Sequence, residues 1–279
     1  MKVSEFPTLL GQTLKGCMKM AVQSRRPSPR SVDDPRPLVI MGNGPSLRNV
    51  LDTRPAILSQ AALMSVNFAA LAPEFFELKP QYYVMADGVF FSNDPDNANL
   101  VKLHTALASV DWPMTIIVPR NFRKSLPKSI TANANLTVRT INAVGVEGFG
   151  WFERSFYSSR LAMPRPRNVL IVSLMAGIWL GYKKIYITGA DHSWMQTIAV
   201  DEQNRVISVQ PHFYKDSSSE QRRVNSVYEG YHLHDIIMSF YVAFRSYHRI
   251  QAWASRRGVT ILNATPDSFI DAFPRQPLP

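Results

Sequence analysis

Residues 37–51, PLVIMGNGPSLRNVL, set a short β-rich run directly before two glycines, a serine and the opening of a helical segment. Gly42 and Gly44 permit a tight turn with close backbone approach, and Ser46 is placed to cap a helix that begins near Leu47. Exposed N–H groups in such a turn are expected to receive a phosphate. The block is neither the GxGxxG dinucleotide fingerprint nor a Walker A loop, because no Gly-Lys-Ser/Thr follows.

The same alternation continues along the chain. ALMSVNF, YYVMAD, MTIIVPR, LTVRTI, KKIYITGA and VTILNA read as strands. LRNVLDTRPAILSQ, Asn97 to Val110, Asn168 to Tyr182 and about Tyr228 to Arg257 read as helices between them. That order predicts an α/β fold, a parallel sheet flanked by helices, with one main domain over residues 37–279. Ligands in such sheets bind at the carboxyl ends of strands, which directs attention to Gly42, Asn43, Gly44, Asn67, Asp87, Arg120, Asp191 and His192. Residues 193–227 are polar and too long for an ordinary loop, so a lid or a disordered insertion is expected there. No internal repeat is visible.

With 279 residues, 46% hydrophobic and 19% charged, the chain is neither disordered, collagen-like nor a coiled coil. Its net charge of +10 favours an anionic partner. The single cysteine, Cys17, excludes an intrachain disulfide and a Cys-based zinc cluster, so a reducing, cytoplasmic setting is expected. No stretch reaches the roughly 18 apolar residues of a spanning helix, and Asn168 to Tyr182 reads as a buried core helix.

Residues 1–36 read as a basic amphipathic segment and a linker. Phe6, Leu9, Leu10, Leu14, Cys17, Met18 and Ala21 recur at helical spacing, with Lys15, Lys19, Arg25, Arg26 and Arg30 around or after them. Such a helix packs on its own domain, or lies on anionic lipid at the inner face of a membrane. Gly11, Gln12 and Lys15 interrupt the apolar stretch, which speaks against a signal peptide. Ser24 to Pro37, rich in Pro, Ser and charge, reads as the linker.

GNGPSL after an apolar strand, Asn67 at the end of the next, and LGYKKIYITGADH further on resemble the family 42 sialyltransferases. They are also similar to the Rossmann domains of motility-associated glycosyltransferases and 6-hydroxymethylpterin pyrophosphokinase-like proteins. The similarity runs from about Pro37 to Pro274 and is specific only at those blocks. It implies a Rossmann-like sheet and a CMP-activated acidic sugar as donor. It further implies direct inverting transfer to a glycan or protein hydroxyl, with no metal and no separate cofactor.

Carried over by position, Gly42, Asn43, Gly44 and Ser46 face the nucleotide and phosphate, Asn67 and the Ala86-Asp87 turn border the nucleotide-sugar, and Asp191 sits at the later strand end. The family's Arg and Thr-Ser before its central helix have only approximate counterparts here, Arg165, Arg167 and Asn168. Its Tyr-x-Gly-His motif falls on VYEGYHLHD, where the ungapped match puts Tyr231 in place of the histidine. His232, one residue on, is the preferred base, with His234 and His192 as the other imidazoles. A neutral imidazole, pKa about 6.5 when unperturbed, suits the removal of an acceptor proton. The hydroxyls of Tyr228 and Tyr231 could stabilise the departing phosphate.

Two other readings compete. A pterin or nucleotide pyrophosphokinase-like enzyme would need ATP and Mg²⁺, with Asp87 or Asp191 as metal ligand. A non-catalytic module would bind a nucleotide or an anionic membrane. Asp191-His192 and His232-x-His234 could offer metal ligands, but residues two apart do not share a helix face. Nucleic-acid binding is disfavoured, because basic residues concentrate at the N-terminus without interleaved aromatics. Phe75, Phe76, Phe90, Phe91, Trp151, Phe152, Phe156 and Tyr157 are expected mainly as core or cleft wall.

Overall fold

The computed structural model describes residues 3–25, 31–53, 55–92, 94–207 and 230–279. Seven of the apolar runs form one sheet: β1 (Leu38–Met41), β2 (Ala62–Val66), β3 (Tyr82–Val84), β4 (Met114–Pro119), β5 (Leu136–Ile141), β6 (Lys184–Thr188) and β9 (Thr260–Asn263), in the order β5-β4-β3-β2-β1-β6-β9. Every pairing in it is parallel. The chain steps outward from β1 to β5, then crosses back to lay β6 on the free side of β1. That reversal opens a crevice at the carboxyl ends of β1 and β6, the switch point where α/β sheets hold ligands.

Both faces of the central strands are covered, which is why they read as continuous apolar runs. Leu38, Ile40, Met64 and Val84 face one cluster, while Val39, Met41, Leu63 and Tyr186 face another. The first cluster is built around α8 (Val169–Leu180), buried from Leu170 to Leu180. Asn168 caps its start through Ile171 N–H, and Gly181, at φ 106°, ends it. Gly177 lets α8 approach β1, because a Cβ there would stand 2.7 Å from Leu38 Cδ2. Truncating a fully buried member such as Leu174 to Ala is expected to cost about 2–5 kcal/mol.

The segment read as one helix after β1 is two, α2 (Leu47–Thr53) and α3 (Ile57–Gln60), with Pro55 between them. Then follow α4 (Glu74–Leu78), α5 (Ala98–Ala108), α6 (Lys128–Thr131) and α7 (Gly150–Ser158). A long α9 (Leu233–Ser255) leads to β9. Arg249 on α9 reaches Glu147 at 3.1 Å and Glu153 at 3.2 Å, fixing α9 to the start of α7.

The N-terminal helix α1 (Phe6–Gln23) packs on the domain through Thr13, Gly16 and Met20. Phe149 N–H donates to Thr13 Oγ1 at 3.1 Å, and a Cβ on Gly16 would press into the Phe152 ring. The described part of the Pro-rich stretch is tied down as well. Ser24 Oγ donates to Leu161 O at 2.6 Å, Val32 N–H to Leu180 O at 2.6 Å, and Tyr182 hydroxyl to Asp34 at 3.1 Å. Within residues 193–227, a 3-10 turn over Ser193–Thr197 leads into a small antiparallel hairpin, β7 (Ala199–Val200) and β8 (Val206–Ile207). Val206 packs with Ile236 and Phe240 of α9. The remainder, 208–227, lies outside the described residues.

Candidate functional site

The floor of the crevice is made by the turns after β1 and β6, and each turn explains the glycines of the other. Gly42 N–H donates to Thr188 O at 2.7 Å and Gly44 N–H to Gly189 O at 2.8 Å. A Cβ on Gly42 would overlap the Gly189 carbonyl, and one on Gly44 would overlap Asp191 Oδ2. Gly189 itself has φ 63°, a conformation that favours glycine.

Asp191 closes the head of α2 with the protein's own carboxylate. Its Oδ2 accepts from Ser46 Oγ at 2.8 Å and its Oδ1 from Ser46 N–H at 3.2 Å. Burial raises the Asp191 pKa, and the bonds from Ser46 partly offset that rise. The expectation that this turn's N–H groups receive a phosphate is therefore corrected for Gly42, Gly44 and Ser46. All three N–H groups are used inside the protein, and an anion there would meet a carboxylate.

Above this floor lies a cleft of about 520 Å³, lined among others by Gly42, Asn43, Gly44, Asn67, Asp87, Arg167, Asn168, Asp191 and His192. Ser46 stands behind the wall, on Asp191. Asn43 Nδ2 donates to Val66 O at 3.1 Å. The Oδ1 atoms of Asn43 and Asn67 are buried without a hydrogen-bond partner among the described residues. Such oxygens call for a donor, because an unmet buried acceptor costs about 1–3 kcal/mol. Asn67 is also held at φ 51°, and its carbonyl accepts from the Tyr83 hydroxyl.

Opposite these amides is a polar cluster around His192, which is buried and sits at φ 54°. Tyr247, from the middle of α9, donates its hydroxyl proton to Asn168 Oδ1 at 3.0 Å. Its oxygen lies 2.7 Å from His192 Nε2, and Asn168 Nδ2 stands 3.4 Å from the same ring nitrogen. Trp194 covers the imidazole with ring centroids 4.1 Å apart. Burial pushes the His192 pKa down to about 3, so the ring is neutral at ordinary pH. Asn67 and His192 thus place two non-glycine residues with left-handed backbone on one cleft.

Asp87 lines the cleft edge, is exposed, and caps a 3-10 turn through Val89 N–H. Phe68, Phe90, Phe122 and Trp194 supply apolar wall. Tyr231, His232 and His234 are exposed at the head of α9 and are not among the cleft-lining residues. His232 is eight residues before Phe240, roughly 12 Å along the helix axis, and Phe240 packs on Trp194 at 5.6 Å. Tyr228 lies outside the described residues. Sequence reading missed Tyr247, Trp194 and Phe122. Tyr247 carried a faint signal, a hydroxyl on the apolar stripe Phe240, Ala243, Tyr247, Ile250, Ala254. Among the described residues, no three His, Cys, Asp or Glu side chains converge to hold a metal ion.

No protein-family model and no curated protein matches the sequence. Among solved structures, the chain is similar to the MAf glycosyltransferase from Magnetospirillum magneticum AMB-1, with 10% identity and a TM-score of 0.49. The match covers 96% of this chain and 38% of that larger one.

Proposed function

We propose that the cleft binds a CMP-activated acidic sugar and that the protein transfers this sugar to a glycan or protein hydroxyl by direct, metal-independent, inverting displacement. The observation that carries the reading is the pair of buried, unmet amide oxygens, Asn43 Oδ1 and Asn67 Oδ1, of two residues that line a cleft at the β1/β6 switch point. An amine-bearing base such as cytosine supplies N–H donors of the kind these acceptors lack. Arg167, on the same cleft, would face the negative charge of phosphate and sugar carboxylate.

In this reading the acceptor oxygen attacks the anomeric carbon as the bond from that carbon to the phosphate oxygen breaks. The hydroxyl proton passes to a base, and CMP leaves with the bonding electron pair. Geometry ranks the imidazoles first and pKa second. His192 lines the cleft, whereas His232 and His234 do not, so the base role falls to His192. Burial holds the imidazole weakly basic, and an anionic donor beside it raises its proton affinity.

The test is thermal stabilisation by CMP, UMP and ATP, each with and without Mg²⁺, since a ligand of the folded state raises its apparent stability. CMP should stabilise more than UMP, and equally without Mg²⁺. Preference for ATP with Mg²⁺ would transfer the site to a pyrophosphokinase-like reaction, and no response to any nucleotide would leave a non-catalytic module.

A further inference from the structure

Helix α1 is amphipathic with its apolar arc turned away from the domain. It sets Thr13, Gly16 and Met20 inward, and leaves Phe6, Leu10, Leu14, Met18 and Val22 between 42% and 70% exposed. A helix that only packs on its own domain has the opposite arrangement. The patch continues onto α7. The Phe6 ring lies 5.5 Å from Phe149, whose ring stacks at 6.5 Å on Trp151, itself 62% exposed. A contiguous exposed apolar surface of this kind marks an interaction site.

Beyond Glu5, the exposed N-cap residue of the helix, the border of the patch is basic. Lys15 follows the exposed arc on the helix, Lys19 lies one turn further, and Arg25 stands just beyond the C-terminal end. Arg154, also exposed, is three residues past Trp151. The helix itself, FPTLLGQTLKGCMKMAVQ, contains no Asp or Glu.

We propose that this face seats on an anionic lipid surface, with α1 lying in the interface plane and Trp151 at headgroup depth. An indole suits that depth, being apolar in body and polar at its N–H. Charge decides against a second copy of the chain as the occupant. A twofold contact through α1 sets Lys15 and Lys19 near the same lysines of the other copy, with no carboxylate on the helix to answer them. Anionic headgroups answer every one of these cations. Attachment is to the surface, since no helix among the described residues is long and apolar enough to cross a membrane. The inference is independent of the ligand in the cleft.

The experiment is co-sedimentation of the full chain with vesicles of phosphatidylcholine and phosphatidylglycerol in equal parts, and of phosphatidylcholine alone. The protein should pellet with the anionic vesicles and much less with the neutral ones. Leu14→Asp/Met18→Asp should lower the binding at least about tenfold, with an unchanged melting temperature because both side chains are exposed. Trp151→Ser probes the same surface from α7 and should also weaken binding. Protein that stays in the supernatant with anionic vesicles would overturn the proposal, as would an Asp variant that binds like the wild type. A dimer in light scattering that the Asp variant converts to monomer, without vesicle binding, would assign the face to a second copy instead.

Discussion

His192 and His232 both precede helical turns, yet the fold gives them opposite surroundings. His192 is buried, shares Tyr247 with Asn168, lies under Trp194 and lines the cleft. His232 is exposed at the head of α9, where it takes part in a capping box with Asp235. The motif's ungapped register falls on Tyr231 and makes His232, one residue on, the preferred base, whereas proximity to the cleft points to His192. The difference teaches that a base is chosen by what the fold places beside it, and that a histidine can serve a helix terminus instead.

The comparison is most severely tested by removing the floor that carries His192. Gly42→Ala drives a methyl group into the Gly189 carbonyl, backbone against backbone. The expected loss is about 3 kcal/mol of stability, read by denaturant unfolding. A substitution near His232, such as Gly230→Ala, meets no atom within 4 Å, so only the φ of 80° resists it and about 1 kcal/mol is expected.

Next in size is turnover. His192→Ala should lower kcat by about a hundredfold or more, and His232→Ala by less than about threefold. Reversal of that order would return the base role to the head of α9.

A third prediction uses pH. His192 binds its proton near pH 3 in the folded protein and near 6.5 when unfolded. Its contribution to stability is therefore complete above about pH 6.5 and declines as pH falls toward 3, by up to about 1.4 kcal/mol per unit. Burial raises the pKa values of Asp191 and Glu153, so these carboxyls act in the opposite sense. The readout is therefore the difference between wild type and His192→Phe, which should lack this decline, while His232→Phe should keep it. The smallest effect concerns Asp191→Asn. An amide there can keep both bonds to Ser46, so stability should change by less than about 1 kcal/mol while anionic nucleotide binding tightens.

Much of the fold was legible because both-face burial writes a strand as an unbroken apolar run, and all-round burial writes α8 as an apolar helix between Asn168 and Gly181. The strand ends were legible for the same reason, and Asn43, Asn67, Asp191 and His192 do meet on one cleft. What escaped depends on long-range approach. Asp191 takes the N-terminus of α2 from 145 residues away, so the turn at Gly42 reads as a phosphate seat when its own carboxylate is unseen. Tyr247 joins His192 only once α9 is laid against α8. On α1 the inward face is Thr13 and Gly16, chosen for close approach and not for hydropathy, so periodicity alone could not say which side meets the domain.

The central claim is that Asn43 and Asn67 hold an amine-bearing nucleotide. Its most direct test is calorimetric titration of CMP, without Mg²⁺, into the wild type, Asn43→Ala and Asn67→Gly, the last chosen because glycine tolerates the left-handed backbone. The account predicts wild-type binding that weakens about fivefold to tenfold in each variant, with UMP binding less affected. Equal CMP binding by all three proteins, or none by the wild type, would contradict it.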